Sequence, residues 1–279
     1  MTNNLVSTDW LAMRSRSPDI VIIDASWHLP ATKRNAKAEF AAKHIPGAQF
    51  YDLDAGSAPD NTLPHMLPSA EKFAADMTAL GVGNGTSVVV YDTVGLFSAA
   101  RFWWMLRTFG HRHVHILNGG LPKWEAGGHL VESKSTAAAT NLPFTSSLDH
   151  TKVKSLKHVA AALKSKSAQL ADARSGPRFR GEEAETRPGV RPGHMVGAVN
   201  VHYTSLLNAN GTLKKVPALR DAFEQAGIDL KRPVITSCGS GVTASILMLG
   251  LAELNIKDAT LYDGSWAEWG RSEQPVATG

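Results

Sequence analysis

The chain has 279 residues, 43% of them hydrophobic and 19% charged, with a net charge of +4 and one cysteine. That length suits two ordinary domains or one large α/β domain, and a single cysteine excludes an intrachain disulfide framework and points to a reducing cytoplasm. The mild basicity, with no basic tract interleaved with aromatics, excludes a nucleic-acid partner and fits a small anionic substrate. No apolar run approaches the roughly 18 residues of a membrane helix, and the N-terminus has no secretory n- or h-region, so neither membrane nor export is expected.

Residues 20–23 (IVII) read as a strand that ends at Asp24-Ala25-Ser26, and residues 71–80 read as a helix. The glycines at 81–85 miss the phosphate-loop pattern Gly-x4-Gly-Lys-Ser/Thr and mark a turn. Residues 88–90 (VVV) form the next strand and run into Asp92. His111, His113 and His115 alternate and as a strand would share a face; no Cys, Asp or Glu stands at ligand spacing, so they read as packed or solvated rather than as a metal site. The Ser-, Thr- and Ala-rich stretch 132–150 reads as a linker. Beyond it, residues 218–226 read as a helix, an apolar strand ends at Cys238, and residues 244–252 form a second helix. Buried β-branched runs separated by helices predict parallel sheets covered on both faces, with ligands beyond the carboxyl ends of the strands.

The halves repeat each other. Asp24-Ala25-Ser26 matches Asp172-Ala173-Arg174, and His44-Ile45-Pro46-Gly47-Ala48 matches His194-Met195-Val196-Gly197-Ala198. Val88 to Asp92 matches Val234 to Cys238, and Asn118-Gly119-Gly120 through Trp124 matches Asp263-Gly264-Ser265 through Trp269. Four landmarks in one order, at offsets drifting by a few residues, make the chain two copies of one domain. Asp92 stands where the second copy has Cys238, and a carboxylate cannot do thiol chemistry, so the first copy is the inactive one.

Cys238 lies at a strand end, before a loop with Gly239 and Gly241 and then a helix N-terminus. Glycine lets the backbone curl with its amides inward, and those N–H groups together with the helix dipole favour a thiolate. A buried, inert cysteine would need no such loop.

The run Cys238-Gly239-Ser240-Gly241-Val242-Thr243, with the signatures at 259–269 and 40–48, resembles the rhodanese superfamily from about residue 9 to 275, and within it the tandem-domain sulfurtransferases that use 3-mercaptopyruvate. The loop matches at every position. Val196 stands where the family often has proline, and Asn118, Leu121 and Lys123 depart from the signature of the first copy. The resemblance implies an α/β fold of two tandem rhodanese-like domains, 1–135 inactive and 150–279 catalytic, each a parallel sheet covered by helices on both faces. It implies a transferase, without cofactor or metal, in which Cys238 takes the sulfur of 3-mercaptopyruvate as a persulfide, releases pyruvate and passes the sulfur to cyanide, a small thiol or thioredoxin.

By the same resemblance Arg178 and Arg187 grip the substrate carboxylate and keto oxygen, a task that suits a planar guanidinium better than an ammonium. Asp54 and His65 belong to a segment that in the family reaches the active site from the first copy, and with Ser240 they form a relay that polarises the carbonyl or handles the proton on pyruvate enolate. Gly239, Gly241, Val242 and Thr243 line the substrate loop, and the Thr243 hydroxyl supports it or caps the helix. Arg180 reads as a surface residue, and Glu182, Glu183 and Glu185 stand near enough to pair with the arginines.

Three other readings compete. Thiosulfate sulfurtransferases of this fold carry basic residues directly after the cysteine, where this chain has neutral Gly239 and Ser240. A cysteine phosphatase needs Cys-x5-Arg, but Ala244 holds that position and no arginine follows before Arg271. A non-catalytic binding module would have lost the cysteine.

Overall fold

The computed structural model describes residues 3–133 and 142–279. It divides into two compact units: Met1–Pro59, Leu67–Asp149 and Asn208–Leu213 form the first, and Asp60–Met66, His150–Leu207 and Lys214–Gly279 the second.

The first unit holds β1 (Leu5–Val6), β2 (Ile20–Asp24), β3 (Gln49–Phe50), β4 (Ser87–Tyr91) and β5 (Val114–Leu117), with α1 (Thr8–Ala12), α2 (Ala36–Ala42), α3 (Ala70–Ala79), α4 (Ala99–Thr108) and α5 (Gly120–Ala126). Its sheet has the order β1-β5-β4-β2-β3, and every pairing is parallel. The near-continuous apolar runs of β2 and β4 suit central strands covered on both faces. One face carries Ile22, Val89 and Leu117 into a core with Leu11, Leu121 and Trp124. Ser69 caps α3 by accepting the Lys72 N–H, which starts the helix one residue earlier than the sequence pattern indicated.

Two expectations change here. β5 begins at Val114, so His111 and His113 precede it and the three histidines do not share one strand face. Of the linker expected at 132–150, residues 134–141 lie outside the described residues, and part of the rest is anchored: buried Phe144 packs on Phe73, its N–H reaches Thr78, and Ser147 and Asp149 bond the backbone of Phe109 and Thr108. An aromatic anchor overrides the polar composition around it.

The second unit repeats the plan with β6 (Val153–Lys154), β7 (Gln169–Asp172), β9 (Ala198–Asn200), β10 (Val234–Ser237) and β11 (Ala259–Tyr262), in the order β6-β11-β10-β7-β9, again all parallel. A short antiparallel ribbon pairs β8 (His194–Met195) with β12 (Val276–Ala277). The helices are α6 (Leu156–Ser165), α7 (Gly176–Arg180), α8 (Val216–Gln225), α9 (Ala244–Glu253) and α10 (Ser265–Trp269). α6 opens on a capping box between Ser155 and His158, and α8 has proline in its first turn, where the missing N–H costs nothing. α9 is apolar on all sides and buried, as befits a helix wrapped by core. No helix among the described residues is long and apolar enough to cross a membrane.

The duplication holds at the level of register. Asp24 pairs with Tyr91 across β2 and β4, as Asp172 pairs with Ser237 across β7 and β10. The Ala25 N–H bonds Tyr91 O at 3.0 Å and the Ala173 N–H bonds Ser237 O at 2.8 Å. The first residue beyond the central strand is therefore Asp92 in one copy and Cys238 in the other.

Candidate active site

Cys238 sits at the carboxyl end of β10, 2% exposed, and the loop 239–243 carries the chain to α9. Its backbone is pinned on both sides. The Cys238 N–H donates to Ser265 Oγ at 3.3 Å, and Ser265 Oγ–H donates to Tyr262 O at 2.9 Å. At the opening of α10 the Trp266 and Ala267 N–H groups cap Cys238 O and Gly239 O at 2.9 and 3.0 Å. Gly241 has φ +81°, a conformation open to glycine at little cost, and Ser245 Oγ–H holds its carbonyl. Among the described residues, none of the N–H groups of residues 239–243 has a protein acceptor. Unpaired amides in a curled loop before a helix N-terminus form a cradle for an anion. The Thr243 hydroxyl neither caps α9 nor makes another hydrogen bond among the described residues.

The first copy shows what such a cradle holds. Asp92 Oδ1 accepts the Val94 and Gly95 N–H groups at 3.0 and 2.9 Å, and Oδ2 accepts those of Phe97 and Ala99 at 2.7 and 3.0 Å. There a built-in carboxylate occupies the loop.

Two guanidinium groups close over Gly239. A methyl group built on that residue would lie 3.6 Å from Arg187 Nη1 and 3.7 Å from Arg178 Nη2. Arg178 donates to Glu185 Oε2, whereas the half-buried Arg187 guanidinium has no hydrogen bond or ion pair among the described residues. Burial lowers the Arg187 pKa and the neighbouring Arg178 charge lowers it further, against the opposing pull of Cys238 and Glu185. Two adjacent cations, one of them unpaired, call for an anionic ligand beside the thiol.

Arg174 was missed by sequence reasoning, although it ends the repeat landmark at 172–174. Its guanidinium takes both oxygens of Asp172, donates to Glu185 Oε1 at 3.1 Å and to Gly193 O at 2.9 Å, and lies 4.4 Å above the Trp266 ring. Burial opposes its charge, but Asp172, then Glu185 and Cys238, outweigh burial and raise its pKa. Of the acidic residues expected nearby, Glu185 joins this network and Glu182 pairs with Arg180 at the surface.

His65, 4% exposed and held at φ +60°, lies in the second unit with its Nδ1 2.8 Å from Ser240 Oγ, next to the reactive loop. Asp54 belongs to the first unit, where Trp27 Nε1–H points between its two oxygens at 3.2 and 3.1 Å. The Trp27 contact left no mark in the sequence pattern; Trp27 follows the repeat landmark and stacks on Phe97.

The rhodanese-like domain family matches residues 7–127 and 155–272. The 3-mercaptopyruvate sulfurtransferase of Escherichia coli K12 is 44% identical over 280 residues, 99% of this chain and 98% of its own length. Thiosulfate/3-mercaptopyruvate sulfurtransferase 1, mitochondrial, of Arabidopsis thaliana is 42% identical over 285 residues, 95% of this chain and 75% of its own. The crystal structure of SseA from Escherichia coli, described as a 3-mercaptopyruvate sulfotransferase, superposes with a TM-score of 0.87 at 41% identity, covering 95% of this chain and 99% of that one.

Proposed function

The chain belongs to the rhodanese family, and from that premise we propose that it moves the sulfur of 3-mercaptopyruvate through a Cys238 persulfide to a thiol or cyanide. The observation that carries this reading is the pairing of a lone thiol with a loop of N–H groups and an Arg187 guanidinium that have no partner among the described residues.

The chemistry runs in two halves. The Cys238 thiolate attacks the substrate sulfur, an S–S bond forms, and the C–S bond breaks with its electron pair going to carbon as pyruvate enolate. The enolate takes a proton and leaves as pyruvate. The persulfide then gives its outer sulfur to the acceptor, cyanide or a thiol such as that of thioredoxin, and the Cys238 thiolate returns. The unpaired loop N–H groups suit the anionic sulfur at each stage.

In this reading Arg187 takes the substrate carboxylate and Arg178 the keto oxygen. His65 and Ser240 hand the proton to the enolate. Gly239, Gly241, Val242 and Thr243 supply the backbone that faces the substrate. Residues 1–135 act as the inactive copy and 150–279 as the catalytic domain, in the reducing cytoplasm that a free catalytic thiol favours.

Thiosulfate is the second donor to weigh, because the like charges of Arg178 and Arg187 attract a dianion as well as a keto acid. A side-by-side assay of both donors with cyanide decides. Mercaptopyruvate preference with stoichiometric pyruvate supports the proposal; thiosulfate preference keeps the persulfide and replaces the donor. Cys238→Ser should abolish transfer from both, with no added sulfur in the mass spectrum.

A further inference from the structure

Glu185 is a buried carboxylate, 1% exposed in its side chain, that gives one oxygen to each of two arginines. Arg174 does not need it: three contacts to Asp172 between 2.7 and 3.1 Å and one to Gly193 O already hold that guanidinium. The contact that only Glu185 supplies is the one to Arg178 Nη2, which lies over Gly239 beside Cys238. Buried carboxylates are rare unless they are paired, and this one is paired to a residue that faces the reactive loop.

The cluster around the thiol therefore has a definite charge. Arg174, Arg178 and Arg187 supply three cations, and Asp172 and Glu185 supply two carboxylates. Arg271, the remaining cation felt by Arg187, is exposed and screened by solvent. Arg187 carries the one charge these two carboxylates do not balance, and the Cys238 thiolate acts on it, so the cluster is close to neutral before a donor binds. A donor with one negative charge and a neutral carbonyl therefore brings less unbalanced charge into the cluster than a small dianion does.

We propose that Glu185 is a positioning and specificity-determining residue: it fixes Arg178 over the reactive loop and holds the site at a charge that selects a monoanionic α-keto thiol over a dianionic sulfur donor. The inference rests on the donor reading above and names the group that enforces it. Neutral Gly239 and Ser240 add no cation; Glu185 removes one.

The test compares kcat/KM for thiosulfate and for 3-mercaptopyruvate in the wild type, in Glu185→Gln and in Glu185→Gln/Arg178→Gln. Glu185→Gln leaves one more cation uncompensated, so the thiosulfate-to-mercaptopyruvate ratio should rise about tenfold at low salt and fall back as salt is added. The double variant restores the original charge, so its ratio should return to within about threefold of the wild type even though both rates drop. A purely structural Glu185 would lower both donors together in the single variant, and that result overturns the inference.

The double variant also covers the case in which Glu185→Gln alone does not fold, since it removes both partners of the pair. A ratio displaced tenfold or more in it would count against charge as the determinant. A wild type that prefers thiosulfate overturns the donor reading instead, separately from any shift that Glu185→Gln causes.

Discussion

Asp92 and Cys238 hold the same register position in the two copies, each the first residue past the central strand, yet they use the loop that follows in opposite ways. Asp92 accepts four backbone N–H groups with its own carboxylate, while the amides of residues 239–243 have no protein acceptor among the described residues. The same loop is plugged in one copy and open in the other. Asp92→Ala would leave four donors unanswered around a buried site, at a cost of about 3 kcal/mol. Chemical denaturation should show that loss, and transfer per folded molecule should stay at the wild-type level. Asp92→Cys in a Cys238→Ser background should restore no transfer, because the first copy has Ser26 where the second has Arg174.

His65 beside Ser240 predicts a split between donors. Mercaptopyruvate leaves as an enolate that needs a proton, whereas sulfite leaving from thiosulfate needs none. His65→Ala should therefore lower kcat for mercaptopyruvate by about 10²-fold or more, the range for a lost general acid, and leave thiosulfate turnover nearly unchanged. Equal losses with both donors would assign His65 to loop support only.

Arg187 predicts opposite effects on activity and stability. It is a half-buried cation with no hydrogen-bond or ion-pair partner among the described residues, next to Arg178, and burial and that like charge both lower its pKa. Arg187→Gln should cost about 2–3 kcal/mol in kcat/KM for mercaptopyruvate, the value of a charge-assisted contact to carboxylate. The melting temperature should hold or rise, as it does when strain kept for function is released. A fall in both would give Arg187 a structural role.

Much of this was legible in the sequence because the repeat constrains it twice. The two parallel sheets and their duplication follow from apolar runs and landmarks that recur in one order, and the loop from Cys238 to Thr243 carries its own motif; the strand order did not follow from them. What was hidden depends on contacts between residues far apart in the chain. Nothing in the pattern tells that Glu185 faces Arg174 and Arg178 while Glu182 turns to Arg180, because a run of charges looks the same whichever side is buried. The anchor at Phe144 was masked by the polar residues around it, and the Ser265 contact to the Cys238 N–H comes from a turn at φ +49° with no sequence mark.

Asp24 gives the sharpest pH test, because the duplication supplies its control. Its counterpart Asp172 is neutralised by Arg174, but Asp24 is followed by Ala25 and Ser26 and is fully buried. Burial pushes its pKa up from 3.8 to about 6, against the lowering hydrogen bonds from Ser26. The folded state thus binds the proton more tightly than the unfolded chain does. Its stabilising contribution is fully present below the unfolded pKa of 3.8 and is lost as pH rises through about 6. At pH 7 the ionised carboxylate costs the fold about 3 kcal/mol. Asp24→Asn should therefore raise the midpoint of urea unfolding at pH 7, change it little at pH 4, and flatten the slope between. A variant no more stable than the wild type at pH 7 would show that the buried carboxylate is compensated in the folded protein.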